Sequence, residues 1–250
     1  MTLIYTGIFG GYDVPLPQVA QTIDVTWVCF TDDPRLRAPD PWETVCISEL
    51  HPARRLAHPR MRTIWFKCQP WLAASFATRA RADGSPASYS PGRSIWIDGN
   101  TSVFSPRFAA EALEQAAGSV IAAYRHNQRD CIYEEAEASV ALQPLKYADQ
   151  SLAAQVEHYR NEGHPEHYGL WAAGTLVIDG TDPLARSLGT RWFEECERWS
   201  YQTQLSLPVV LRELGITPAE FRNPQIPCEL CATSGLRNPW FHIGTHQRDD

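Results

Sequence analysis

A chain of 250 residues with 44% hydrophobic content is long enough to bury one large core, which excludes disorder as its resting state and fits a single α/β domain. Its 22 lysines and arginines stand against 29 aspartates and glutamates, a formal net charge of -7 that excludes a broad nucleic-acid footprint and makes any phosphate site local. Seven scattered cysteines read as reduced thiols, and the chain shows neither a secretory leader nor an apolar run of about 18 residues, so a cytoplasmic protein with no transmembrane segment is expected.

Strand-like and helix-like segments alternate along the chain, the pattern of a mixed, mostly parallel sheet flanked by helices. Leu3 to Thr6 reads as the first strand, followed by a glycine-containing loop from Gly7 to Tyr12. Val25 to Phe30 is a second β-rich run, ending at Thr31-Asp32-Asp33, and Thr44 to Ile47 a third. Arg60 to Arg79 has helical composition interrupted by Pro70. Ser94 to Ile97 is a short apolar strand that runs directly into Asp98-Gly99-Asn100. Pro106 to Ala117 reads as a helix with Ser105 as N-cap and Gly118 as its stop, and Val120 to Tyr124 as a strand. Helices are expected at Asp130 to Val140, Ser151 to Glu162, Pro183 to Trp199 and Gln204 to Leu214, with a strand from Gly169 to Asp179. Residues 1–222 read as one domain, with 223–250 as an irregular segment packed on it.

Ligands of open α/β sheets bind at the carboxyl ends of strands, and three such ends carry suitable groups. Gly7-Ile8-Phe9-Gly10-Gly11-Tyr12-Asp13 is either a nucleotide loop or a plain turn, being neither a dinucleotide fingerprint nor a P-loop. Asp98 and Asn100, two apart across a glycine, offer oxygens to Mn²⁺ or Mg²⁺, or simply use the turn chemistry of Asp and Asn. His126 and Arg129, followed by Glu134 and Glu135, form either a sugar or phosphate site or a solvated helix face. Arg60 and Lys67 share one helical face and would clamp phosphates together, or stand as an exposed basic helix. In the tail, Cys228 and Cys231 precede His242 and His246 in an order close to a zinc-finger spacing, with ten residues between Cys231 and His242 and Pro239 interrupting the helix a finger needs.

Four blocks, Tyr5-Thr6-Gly7-Ile8-Phe9-Gly10-Gly11-Tyr12-Asp13, Cys29-Phe30-Thr31-Asp32-Asp33, Trp96-Ile97-Asp98-Gly99 and Glu135-Ala136-Glu137-Ala138, occur in an order that resembles a glycosyltransferase-like family of TOD/MUCI type, with bacterial and plant members. The resemblance spans roughly Ile4 to Leu211 and implies a GT-A-like fold with a nucleotide-diphosphate sugar donor. It places Asp98 where the family's metal-binding aspartate is inferred, matches Arg60 and Lys67 to basic residues before the metal strand, matches His126 and Arg129 to a His and Arg after the next strand, and matches Gly169-Leu170 to a Gly-Leu pair. It also implies that His242 or His246 completes the cation site, in competition with zinc. The chain departs from the family at Ser200-Tyr201-Gln202-Thr203-Gln204-Leu205-Ser206, where Gln202 and Thr203 replace a charged pair.

The resulting expectation is a metal-assisted transfer of a sugar to a glycan or glycolipid. Thr6, Gly7, Phe9, Gly10, Tyr12, Asp13, Asp32, Arg60, Lys67, Asp98, Arg129 and Gln204 would bind the donor; His126, Glu134 and Glu135 would contact the reacting groups. The alternatives are a non-catalytic carbohydrate- or nucleotide-binding module, and a different enzyme such as a lipid hydrolase, for which no G-x-S-x-G elbow is present.

Overall fold

In the computed structural model, residues 2–79, 92–222 and 238–244 are described. β1 (Thr2–Ile8) and β2 (Val25–Thr31) are mostly apolar, with threonine as their polar side chain, and all but the first residue of each is buried, as strands covered on both faces require. They lie inside a seven-stranded sheet of order β3-β2-β1-β4-β7-β6-β8, completed by β3 (Trp42–Cys46), β4 (Arg93–Ile97), β6 (Ile121–Arg125), β7 (Trp171–Asp179) and β8 (Ala219–Glu220). β1, β2, β3 and β4 run parallel, as do β6 and β8, while β7 is antiparallel to both of its neighbours. This is the expected mixed, mostly parallel α/β architecture of GT-A-like proteins, with strand order reversing between β1 and β4.

Pro70 divides the helical stretch, giving α1 (Pro59–Cys68) and α2 (Pro70–Arg79). His58 caps α1, its Nδ1 accepting from Arg60 N at 3.2 Å, with Pro59 at the first helical position where a missing N–H costs nothing. α3 (Phe108–Gln115) starts later than expected: Ser105 Oγ accepts from Arg107 N and closes a preceding turn instead of capping the helix. α4 (Ile132–Leu142), α5 (Leu152–Asn161), α6 (Pro183–Arg198) and α7 (Thr203–Glu213) follow the expected order with shifted ends. α6 carries an Asp182 cap, whose carboxylate accepts from Leu184 N at 2.8 Å.

The sheet separates two cores. Tyr5, Phe30 and Trp96 pack with Phe66 of α1, Trp192 of α6 and Leu207 of α7, whereas Ile4, Trp27 and Ile97 pack with Phe108 of α3. A third cluster joins Tyr133, Tyr159 and Leu205 between α4, α5 and α7. The tail departs from the irregular reading: Phe241–Ile243 forms β9, which pairs antiparallel with β5 (Thr101–Val103), and Trp240 is fully buried beside Phe108. Cys228, Cys231 and His246 lie outside the described residues. Cys29, Cys46, Cys68, Cys131 and Cys196 are free thiols. No helix among the described residues is long and apolar enough to cross a membrane.

Candidate functional site

A cavity of about 700 Å³ opens at the carboxyl ends of β1 and β4, where the strand order reverses. Its first wall is the loop after β1. Gly10 and Gly11 hold φ of 69° and 66°, a left-handed pair that turns the chain sharply, and a Cβ on Gly10 would stand 2.8 Å from Pro59 Cγ, so the loop lies flush against the start of α1. Gly7, Phe9, Gly10, Tyr12 and Asp13 all line the cavity.

The second wall is α1. Arg60 and Lys67, two turns apart, both face the cavity. The Arg60 guanidinium lies between two rings, 4.8 Å from the Tyr12 centroid and 5.2 Å from that of Tyr201. Lys67 reaches Asp98 Oδ1 at 3.0 Å, and Trp96 Nε1 donates to the same oxygen at 2.8 Å. β4 therefore delivers both the aspartate and the indole that orients it.

A third wall comes from α4, the segment after it and the start of α7. Glu135 is buried and accepts from Arg129 Nε at 2.6 Å, Gln202 Nε2 at 3.1 Å and Ser139 Oγ at 3.3 Å. Gln202 thus serves as a neutral clasp on Glu135. Lys146 and Tyr147 also line this wall, and Gln204 lies beside them. Burial, and then the neighbouring Arg60, push the Lys146 ammonium down to about 8. The Tyr201 hydroxyl donates to the Lys146 carbonyl, and burial followed by Asp149 pushes it up to about 12, so it stays protonated.

Several expected residues are placed elsewhere. Thr6 is fully buried on the opposite side of β1, with no hydrogen-bond partner for its hydroxyl, because alternation along the strand turns it away from the cavity that Gly7 lines. Asp32 is bound up in the scaffold: Arg62 contacts it at 2.6 Å, Arg54 at 4.0 Å, and Gly10 N donates to it at 2.9 Å. It shapes the glycine loop without lining the cavity. His126 sits behind Arg129, its Nδ1 accepting from the backbone N of Arg129 at 3.0 Å and of Gln128 at 3.3 Å. Burial, reinforced by Arg129 and opposed by Glu135, holds its pKa below the usual imidazole value, so the ring is a neutral support. Glu134 points out beside Asp130 and His167, a group of three ligand atoms within 4.8 Å of one another and away from the cavity lining.

The expected metal set also comes apart. Asn100 is buried and donates its amide to the Gly244 carbonyl at 2.8 Å, while His242 lies exposed on β9 against Phe104, at 5.4 Å between centroids. Asp98 is the one described member of that set that lines the cavity, and its Oδ1 already receives an ammonium and an indole. Of the expected set, the described residues bring Asp98 alone to the cavity, one ligand where a protein-held Mn²⁺ or Mg²⁺ takes several oxygens.

Residues 88–226 match the family model described as TOD1/MUCI70, glycosyltransferase-like domain, more than half of the chain. The chain belongs to that family. No curated protein matches it. The TOD1/MUCI70 match contains Asp98, Arg129, Glu135 and Gln202, whereas the glycine loop, Arg60 and Lys67 precede it and join the same cavity only through pairing of β1 with β4. Sequence reasoning missed Lys146, Tyr147, His58 and the role of Tyr201. Lys146 and Tyr147 fall between two helices, where neither periodicity nor motif marks them, and only the ring–ring stacking of His58 on Tyr201 at 4.9 Å links those two.

Proposed function

We propose that this glycosyltransferase-like protein is an enzyme that moves a sugar from a nucleoside-diphosphate donor to a hydroxyl of a glycan or glycolipid. The observation that carries this reading is the convergence of Arg60, Lys67 and Lys146 on one cavity beside the glycine loop. A departing diphosphate needs positive charge where its own charge develops, and preorganised cations in a cleft supply it. The electron pair of the anomeric C–O bond leaves on the β-phosphate oxygen, the acceptor oxygen forms the new bond, and its proton is released to solvent.

Tyr12 and Tyr201 line the cavity and give a base or sugar ring an aromatic edge to pack against. Leu142 and Leu145, 71% and 82% exposed, stand on the same cavity wall and suit the apolar part of a glycolipid acceptor. A panel of UDP- and GDP-sugars, assayed for release of nucleoside diphosphate with and without oligosaccharide or glycolipid acceptors, tests the proposal. Release from one donor, stimulated by acceptor, is expected. Failure of every donor to bind or react would sink it. Binding without turnover is the second reading, favoured by the clasp of Arg129, Gln202 and Ser139 on Glu135, which leaves that carboxylate committed to the fold.

A further inference from the structure

The cavity cations are not equally occupied. Lys67 faces Asp98 and Arg129 faces Glu135. Among the described residues, no carboxylate lies within ion-pair distance of Lys146, whose ammonium sits 5.0 Å from the Tyr147 ring centroid. Arg60 lines the same cavity with its guanidinium 4.8 Å from the Tyr12 ring centroid and 5.2 Å from that of Tyr201. A lysine kept half-buried beside other cations is disfavoured until an anion arrives, which the downward push on its ammonium reflects.

Resting on the transferase reading above, we propose that the donor diphosphate is neutralised by the ammonium groups of Lys67 and Lys146 with the Arg60 guanidinium, without a metal ion on Asp98. Asp98 is then a positioning residue. It anchors the Lys67 ammonium 5.1 Å from the Trp96 ring centroid, while Trp96 Nε1 fixes the carboxylate in turn. The cavity lining draws the three cations from α1 and the segment after α4, so two separate parts of the chain grip the phosphates.

Calorimetric titration of the full chain with inorganic pyrophosphate, UDP and GDP, once in EDTA and once in Mn²⁺, tests this. Dissociation constants equal within about twofold in the two buffers are expected, with Lys146→Gln and Lys67→Met each weakening binding about tenfold in EDTA. Lys67→Met strands Asp98 and risks misfolding, so Lys146→Gln, which strands no carboxylate, carries the decision. Binding that requires Mn²⁺, or that survives Lys146→Gln unchanged, overturns the proposal and leaves the transferase reading standing. Failure of all three anions to bind in either buffer overturns both.

Discussion

Two aspartates follow the parallel strands on either side of β1, Asp32 after β2 and Asp98 after β4, and both meet a basic residue of α1. Their surroundings differ. The Asp32 side chain is 9% exposed and receives two arginines and a backbone N–H, whereas that of Asp98 is 37% exposed and receives one ammonium and one indole. The more saturated carboxylate belongs to the scaffold, and the one left open faces the ligand. Chemical type and position at a strand end are shared by both, so neither distinguishes them.

The largest effect is expected at Asp32. Asp32→Ala strands Arg62, leaves Arg54 with Glu49 as its carboxylate partner and releases Gly10, and removal of one partner from a buried pair costs about 3–5 kcal/mol, to be read from the urea midpoint. A loss under about 1 kcal/mol would erase the contrast between the two carboxylates.

Next comes the helix that bears both basic residues. A Cβ on Gly189 of α6 would lie 2.0 Å from the Cys68 carbonyl oxygen, directly after Lys67. Gly189→Ala gains up to about 1 kcal/mol of helix propensity, but the clash must displace α1, and a net loss of about 2 kcal/mol is expected with weakened diphosphate binding. An unchanged melting temperature would show that α1 yields there without consequence.

Asp98→Asn should cost under about 1 kcal/mol, because the group is more than a third exposed and its ion pair is screened. The variant should still bind UDP in EDTA, while loss of a Mn²⁺-dependent binding component on this change would restore a metal role for Asp98.

A separate effect is on pH dependence. Burial first, and then Arg60, push the Lys146 ammonium down to about 8, with Lys67, Asp98 and Glu135 also acting on it and Tyr147, Asp149 and Tyr201 lining the same wall. An anion favours its charged form, so UDP affinity should be full below about pH 7 and decline about fivefold to tenfold as pH rises through 8. Lys146→Gln should flatten this limb, and an identical profile in that variant would assign the titration to another group.

The legible part of this protein was its order of elements and its strand ends. Continuous apolar runs such as Val25 to Phe30 marked buried strands, Pro70 marked a helix break, and glycine spacing marked the loop after β1, because each depends on local backbone chemistry. The boundary of α3 was less legible, since Ser105 has cap chemistry that the structure uses one turn early.

The sequence by itself determined an α/β chain of the glycosyltransferase-like kind, with a glycine loop, a basic helix face and an acidic strand end suited to phosphates. Tertiary structure decided which polar groups meet. Pairing of β9 with β5 set His242 against Phe104, outside the cavity lining, alternation on β1 hid Thr6, and Asp32 was absorbed by arginines 22 and 30 residues further along. Those outcomes depend on contacts between distant segments, where burial and partner count set whether a charge supports the fold or awaits a ligand, and neither quantity is encoded in the spacing of residues along the chain.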